Sequence, residues 1–231
     1  MAEKPRVKAP KQRTTSRSDA GDRTRKLLLI GAAVAGLIVA AVLFAAVGRG
    51  GNEPDEAAVR EDLEAAGCTL EARIPKPPRG GGYHTVLTPG GTSADWNTDP
   101  PVAGAHYGQA AVFGIYSEQL EEARVVHNLE HGGIFIQYGS DVPETTVAEL
   151  ESFYNGHQTG TIMAPLPSLG DKIALGAWVV RDEEFEKQPA LGRGYLAKCK
   201  TFDAGAFTSF YDAFQFRGPE RFDPSDLQPG S

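Results

Sequence analysis

Leu27 to Val47 is an unbroken run of 21 residues drawn only from Leu, Ile, Val, Ala, Gly and Phe. As a helix it spans roughly 31 Å, the thickness of a bilayer's hydrocarbon core. A secretory signal peptide has a shorter apolar run, about 7–15 residues, and ends in an A-x-A-like cleavage site. This run is longer, starts only after 26 mostly polar residues, and continues into Gly48-Arg49-Gly50-Gly51-Asn52, which is no cleavage site of that kind. The expectation is one retained transmembrane helix over residues 27–47.

Charge sets its direction. Residues 1–26 hold nine Lys and Arg against Glu3, Asp19 and Asp22, a net of +6, whereas the whole chain carries −7, so the remainder sums to −13. Cationic flanks stay in the cytoplasm. The reading is a single-pass cell-membrane protein with its N-terminus cytoplasmic and its C-terminal domain extracytoplasmic. The tail 1–26, basic and nearly free of large apolar side chains, is expected to be disordered and to sit against anionic headgroups. The acidic outer part argues against nucleic acid as a partner. Residues 48–54 read as a linker.

Residues 55–231 suffice for one domain with its own core. Both cysteines, Cys68 and Cys199, fall within it. An even count outside the cytoplasm predicts one disulfide.

Within the domain, Asp55 to Gly67 reads as a helix, with Val59, Leu63 and Ala66 at helical spacing. Pro75 to Gly82 and Gly90 to Tyr107 are punctuated by Pro and Gly and read as loops. Ile134 to Tyr138 is β-rich and bounded by glycines, so a strand. Glu144 to Tyr154 predicts a helix burying Val147, Leu150 and Tyr154. Ile173 to Val180 is apolar enough for a central strand, and Tyr195 to Cys199 supplies a third. Asp203 to Phe216 predicts an Asp-capped helix whose Phe207, Phe210, Tyr211 and Phe214 face the core. The fold class is α+β, a small sheet with packed helices, preceded by the one transmembrane helix.

The chemistry concentrates at His127-Asn128-Leu129-Glu130-His131-Gly132, with His106-Tyr107 upstream; three of the five histidines lie in these stretches. Imidazole is the commonest protein metal ligand. His127, Glu130 and His131 spell H-x-x-E-H, the order in which inverted zinc metallopeptidases place two ligands and a base on one helix. Gly132-Gly133 ends any helix there, and no second motif supplies a distant ligand. Loop folding that brings His106 onto His127 and His131 makes a site for a divalent transition metal such as zinc, with Glu130 as ligand or outer acceptor. His84 is a candidate fourth member. The competing reading is structural: these histidines satisfy loop backbone groups. His157 reads as a helix cap or surface residue.

Three functional readings stay open: a metal-binding domain, an envelope interaction module with structural histidines, and a zinc-dependent hydrolase. No G-x-S-x-G elbow, P-loop or Rossmann fingerprint is present. The cysteines, 131 positions apart, form no C-x-x-C centre, and two methionines make no Met-rich copper carrier. Nothing in the sequence names a substrate, a protein partner or an oligomeric state.

The stretch from Gly67-Cys68 to Gly218-Pro219-Glu220 resembles the bacterial family called "domain of unknown function 3105". The resemblance rests on Asp99-Pro100-Pro101 with Gly104-Ala105-His106-Tyr107, on Gly114-Ile115-Tyr116, on Val126 to Gly132 with the strand to Tyr138, and on Ala177-Trp178. Val102-Ala103 stands where the family pattern has Thr-Ser. The resemblance implies that His106, His127, Glu130 and His131 form one recurring site in an anchored, extracytoplasmic setting. It implies no reaction.

Overall fold

The computed structural model describes residues 55–76, the backbone of 86–87, and residues 96–185 and 192–231. The tail, the apolar run 27–47, the linker 48–54, most of the Pro75–Gly82 loop, His84 and the start of the Gly90 loop lie outside the described residues. Among the described residues, no helix is long and apolar enough to cross a membrane.

Asp55 caps the first helix, α1 (Glu56–Ala65), by accepting hydrogen bonds from the Ala57 and Ala58 amides. Gly67, at φ +76°, turns the chain out of it, and β1 (Thr69–Arg73) follows. Two short strands, β2 (Val86–Leu87) and β3 (His106–Tyr107), pair in parallel. Then come β4 (Gly114–Ile115), α2 (Glu122–Glu130), β5 (Ile134–Tyr138), α3 (Glu144–Gly156), β6 (Thr161–Pro165) and β7 (Ile173–Val179). A one-turn α4 (Asp182–Phe185), β8 (Arg193–Cys199) and α5 (Ala204–Phe214) complete the order.

Six of these strands form one mixed sheet in the order β1-β8-β7-β5-β6-β4. Among the first four each strand is antiparallel to its neighbour, and β6 and β4 run parallel to β5. Every residue of β7 is buried, as expected of an inner strand covered on both faces.

Side-chain alternation divides the core in two. Ile134, Ile136, Leu175, Ala177 and Tyr195 point to the face covered by α1, α3 and α5, where Phe207, Phe210, Tyr211 and Phe214 fill the interior. The aromatic stripe of α5 is therefore core. Phe135, Ala174, Trp178 and Leu196 point to the opposite face, covered by α2 and by Val102, Ala103 and Phe113. Val102-Ala103 is thus an apolar, buried contact against the sheet. Gly176 lies opposite Phe135 in the β5–β7 register; a Cβ there would occupy the Phe135 ring.

The disulfide expected from the cysteine count is formed, Cys68 to Cys199, with Cα atoms 4.2 Å apart. It ties the turn after α1 to the end of β8.

Residues after α5 form a strap sewn to separate parts of the fold by backbone hydrogen bonds. The Phe216 amide donates to Gly132, the Val180 amide to Arg217, the Glu220 amide to Glu130, the Gly160 amide to Leu227 and the Phe113 amide to Ser231.

Candidate metal centre

Helix α2 positions most of the site. Val125, Val126 and Leu129 are buried against the sheet, which fixes the rotation of the helix and turns His127 and His131 along its edge. The helix is continuous from Glu122 to Glu130, with His131 as its C-cap. The two histidines are therefore one helical turn apart. The sequence led to an expectation of loop folding around these residues; the structure puts His127 inside a continuous helix and His131 at its C-cap.

Asn128 works on the neighbouring loop. Its Oδ1 accepts from the Ala111 amide at 2.9 Å, and its Nδ2 donates to the Ala111 carbonyl at 2.7 Å. Both backbone groups of a buried loop residue are thereby satisfied by one side chain.

His106, expected to end a loop, instead belongs to β3 and is 2% exposed. Its Nδ1 lies 2.8 Å from the Gly104 carbonyl, and His127 Nδ1 lies 2.6 Å from the Tyr107 carbonyl. A carbonyl only accepts, so both Nδ1 atoms carry the proton. In neutral His127, Nε2 is then a bare lone pair. That Nε2 lies 3.1 Å from His131 Nε2.

The other face of the cluster is a charge-assisted pair. His106 Nε2 stands 3.1 Å from Glu130 Oε2, with side-chain exposures of 2% and 3%. Burial alone would lower the His106 pKa. Glu130, through hydrogen bond and charge, overcomes that together with the Gly104 carbonyl and Glu220, and the net shift is upward. His131 shifts the other way, down to about 4, because it is desolvated and faces His127, with Glu130 opposing and His106 adding to the fall. It is thus a neutral imidazole over the ordinary pH range.

His127, Glu130 and His131 each offer a ligand atom, and these atoms lie within 4.8 Å of one another. Two imidazole nitrogens bound at about 2.0–2.1 Å to one tetrahedral zinc stand about 3.3 Å apart, close to the separation found here. The structure thus brings His127, Glu130 and His131 into one cluster and places His106 behind Glu130, its ring centroid 5.0 Å from that of His127. His157 is elsewhere, capping α3 and stacked on Phe153 at 4.0 Å.

Two contributors from the strap were not among the candidate residues. Glu220 Oε2 is 3.4 Å from His131 Nε2, and the Phe222 ring lies 4.2 Å from the His131 ring. Gly218 makes this possible: a Cβ there would collide with the Glu130 carbonyl and the Gly132 amide. In the sequence, Gly218-Pro219-Glu220 marks only the end of the family resemblance, and nothing local ties it to the histidines.

Residues 88–226 match the family described as "Protein of unknown function (DUF3105)". No curated protein and no solved structure matches the chain. The chain belongs to the DUF3105 family.

Proposed function

We propose that this DUF3105 protein binds a divalent transition metal ion, with zinc fitting its nitrogen and oxygen donors well, through His127, His131 and Glu130. One observation carries the reading: the Nε2 atoms of His127 and His131 converge at 3.1 Å beside the Glu130 carboxylate. The Tyr107 carbonyl fixes the His127 tautomer from behind, as outer-sphere partners of metal-bound histidines do. His106 holds Glu130 in the same way. The test is the metal content of the full chain, purified in detergent without chelator, together with its melting temperature with and without added Zn²⁺. Bound metal lost in His131→Ala supports the reading. A metal-free wild type whose melting temperature ignores Zn²⁺, Co²⁺ and Ni²⁺ overturns it.

A second reading, an interaction module with structural histidines, draws on the Nδ1 bonds of His106 and His127 to backbone carbonyls. Under it, His131→Ala changes stability and leaves metal content unaltered. A hydrolase gains the one-turn spacing of His127 and His131. It is weakened by Glu130, which is buried against His106 rather than presented to a water molecule.

The setting proposed is a single-pass membrane protein with this domain outside. The apolar run and the +6 tail support it, and so does a formed disulfide, which persists in oxidising compartments. Protease added to intact cells should remove the domain and leave the tail; a fully protected domain refutes this topology.

A further inference from the structure

We infer that Glu220 is a further protein ligand of this metal, so that the site closes over the ion with two imidazoles and two carboxylates. The inference rests on the metal-binding reading above.

Glu220 comes from a different part of the chain, yet its placement is fixed at three points. Its own amide donates to the Glu130 carbonyl at 2.9 Å, so its backbone is bonded to that of a ligand. Arg221 bonds Asp182 at 2.7 Å and the Val180 carbonyl at 2.9 Å, and Arg217 approaches Asp182 at 3.7 Å. Phe222 covers the His131 ring. Between these anchors Glu220 directs Oε2 to 3.4 Å from His131 Nε2, the atom assigned to the metal.

The chemistry agrees with the placement. Glu220 Oε2 and His131 Nε2 stand 3.4 Å apart, about the separation of two ligand atoms on one tetrahedral dication. Two carboxylates balance the charge of that dication. Four protein ligands are the pattern of closed sites that hold a metal, whereas catalytic zinc keeps a position open for water or substrate. A Glu220 ligand therefore assigns the centre to holding the metal and stapling the strap to the end of α2.

The test uses Co²⁺ as probe on the full chain in detergent, comparing wild type with Glu220→Gln and Glu220→Asp. Loss of an outer-sphere partner costs roughly 10–100-fold in metal affinity; Glu220→Gln should lose more than that and change the visible absorption of bound Co²⁺. Glu220→Asp should fall between Glu220→Gln and wild type. The metal-free melting temperature of Glu220→Gln should match wild type, which separates a lost ligand from a lost fold. If that variant fails to fold, Glu220→Asp carries the comparison. Wild-type affinity and an unchanged spectrum in the variants overturn this inference and leave the metal reading standing. A wild type that binds no Co²⁺ overturns both.

Discussion

Glu130 and His106 meet at 3.1 Å with neither side chain more than 3% exposed, which makes them a buried ion pair at the back of the site. Removing one member strands the other in a low dielectric, at about 3–5 kcal/mol. His106→Ala should therefore destabilise the domain by about that much, and His106→Ala with Glu130→Ala by less than the two single changes together. The His106 pKa is raised in the fold, so its contribution is complete below about 6.5 and fades as pH climbs through the folded value. Urea unfolding at pH 6 and pH 9 should show the gap between wild type and His106→Ala narrowing at pH 9. An unchanged gap contradicts the charged pair.

Glu122 makes the opposite kind of prediction. Burial, with Asp99 adding and a Gln137 hydrogen bond opposing, pushes its pKa up to about 7. Gln137 Nε2 donates to Glu122 Oε1 at 2.9 Å, while Glu122 Oε2 and Gln137 Oε1 lack hydrogen-bond partners. The fold favours the protonated acid. Its contribution is full below the unfolded value near 4.5 and is lost as pH rises through about 7. Glu122→Gln gives the pair a permanent donor and should stabilise by about 1–3 kcal/mol at pH 8, with a smaller gain at pH 5. Thermal melts of both proteins at the two pH values decide it; a less stable variant at pH 8 counts against the assignment.

At Gly218 there is no room for a methyl group between the Glu130 carbonyl and the Gly132 amide. Gly218→Ala should lift the strap, cost about 1–3 kcal/mol and draw Glu220 and Phe222 away from His131. Melting temperature and Zn²⁺ affinity should fall together. A variant that melts and binds like wild type would show that the strap does not depend on this close approach.

Cys68 and Cys199 are 131 positions apart, so their bond closes a long loop, worth roughly 5 kcal/mol on the chain-entropy model and often less in measurement. Replacing both by Ser should lower the urea midpoint without changing metal content, since neither cysteine lies in the His127 cluster. Metal loss in the double variant would connect the two halves of the core more tightly than the geometry implies.

Features set by local chemistry were legible in the sequence. The strand Ile134–Tyr138 has the bounds its flanking glycines set, and α5 carries the four aromatics its spacing put on one face. The cluster of His127, Glu130 and His131 was readable as a short run of ligand-type residues, whereas the continuous helix that holds it was not, because Gly132-Gly133 read as ending any helix there. What escaped is non-local. Thr161–Pro165 is an inner strand too short and too uniformly apolar to show alternation, and β1 is an edge strand with Glu71 and Arg73 diluting its pattern. β3 around His106 exists only through pairing with β2. Glu220 reaches His131 because Arg217 and Arg221 fasten the strap to Asp182, contacts that no sequence window contains.

The strap also sets an order of events. Its residues follow β8 and α5 in the chain, yet their amides and carbonyls complete Gly132, Glu130, Val180, Gly160 and Phe113, which lie far earlier. Such long-range closure is slow relative to local helix and hairpin formation. As the chain emerges from N- to C-terminus, the sheet can assemble while the helix end at Glu130 and His131 waits, uncovered, for residues 216–222. Covering of the His cluster therefore depends on the C-terminal strap, and comes only once residues 216–222 have been made.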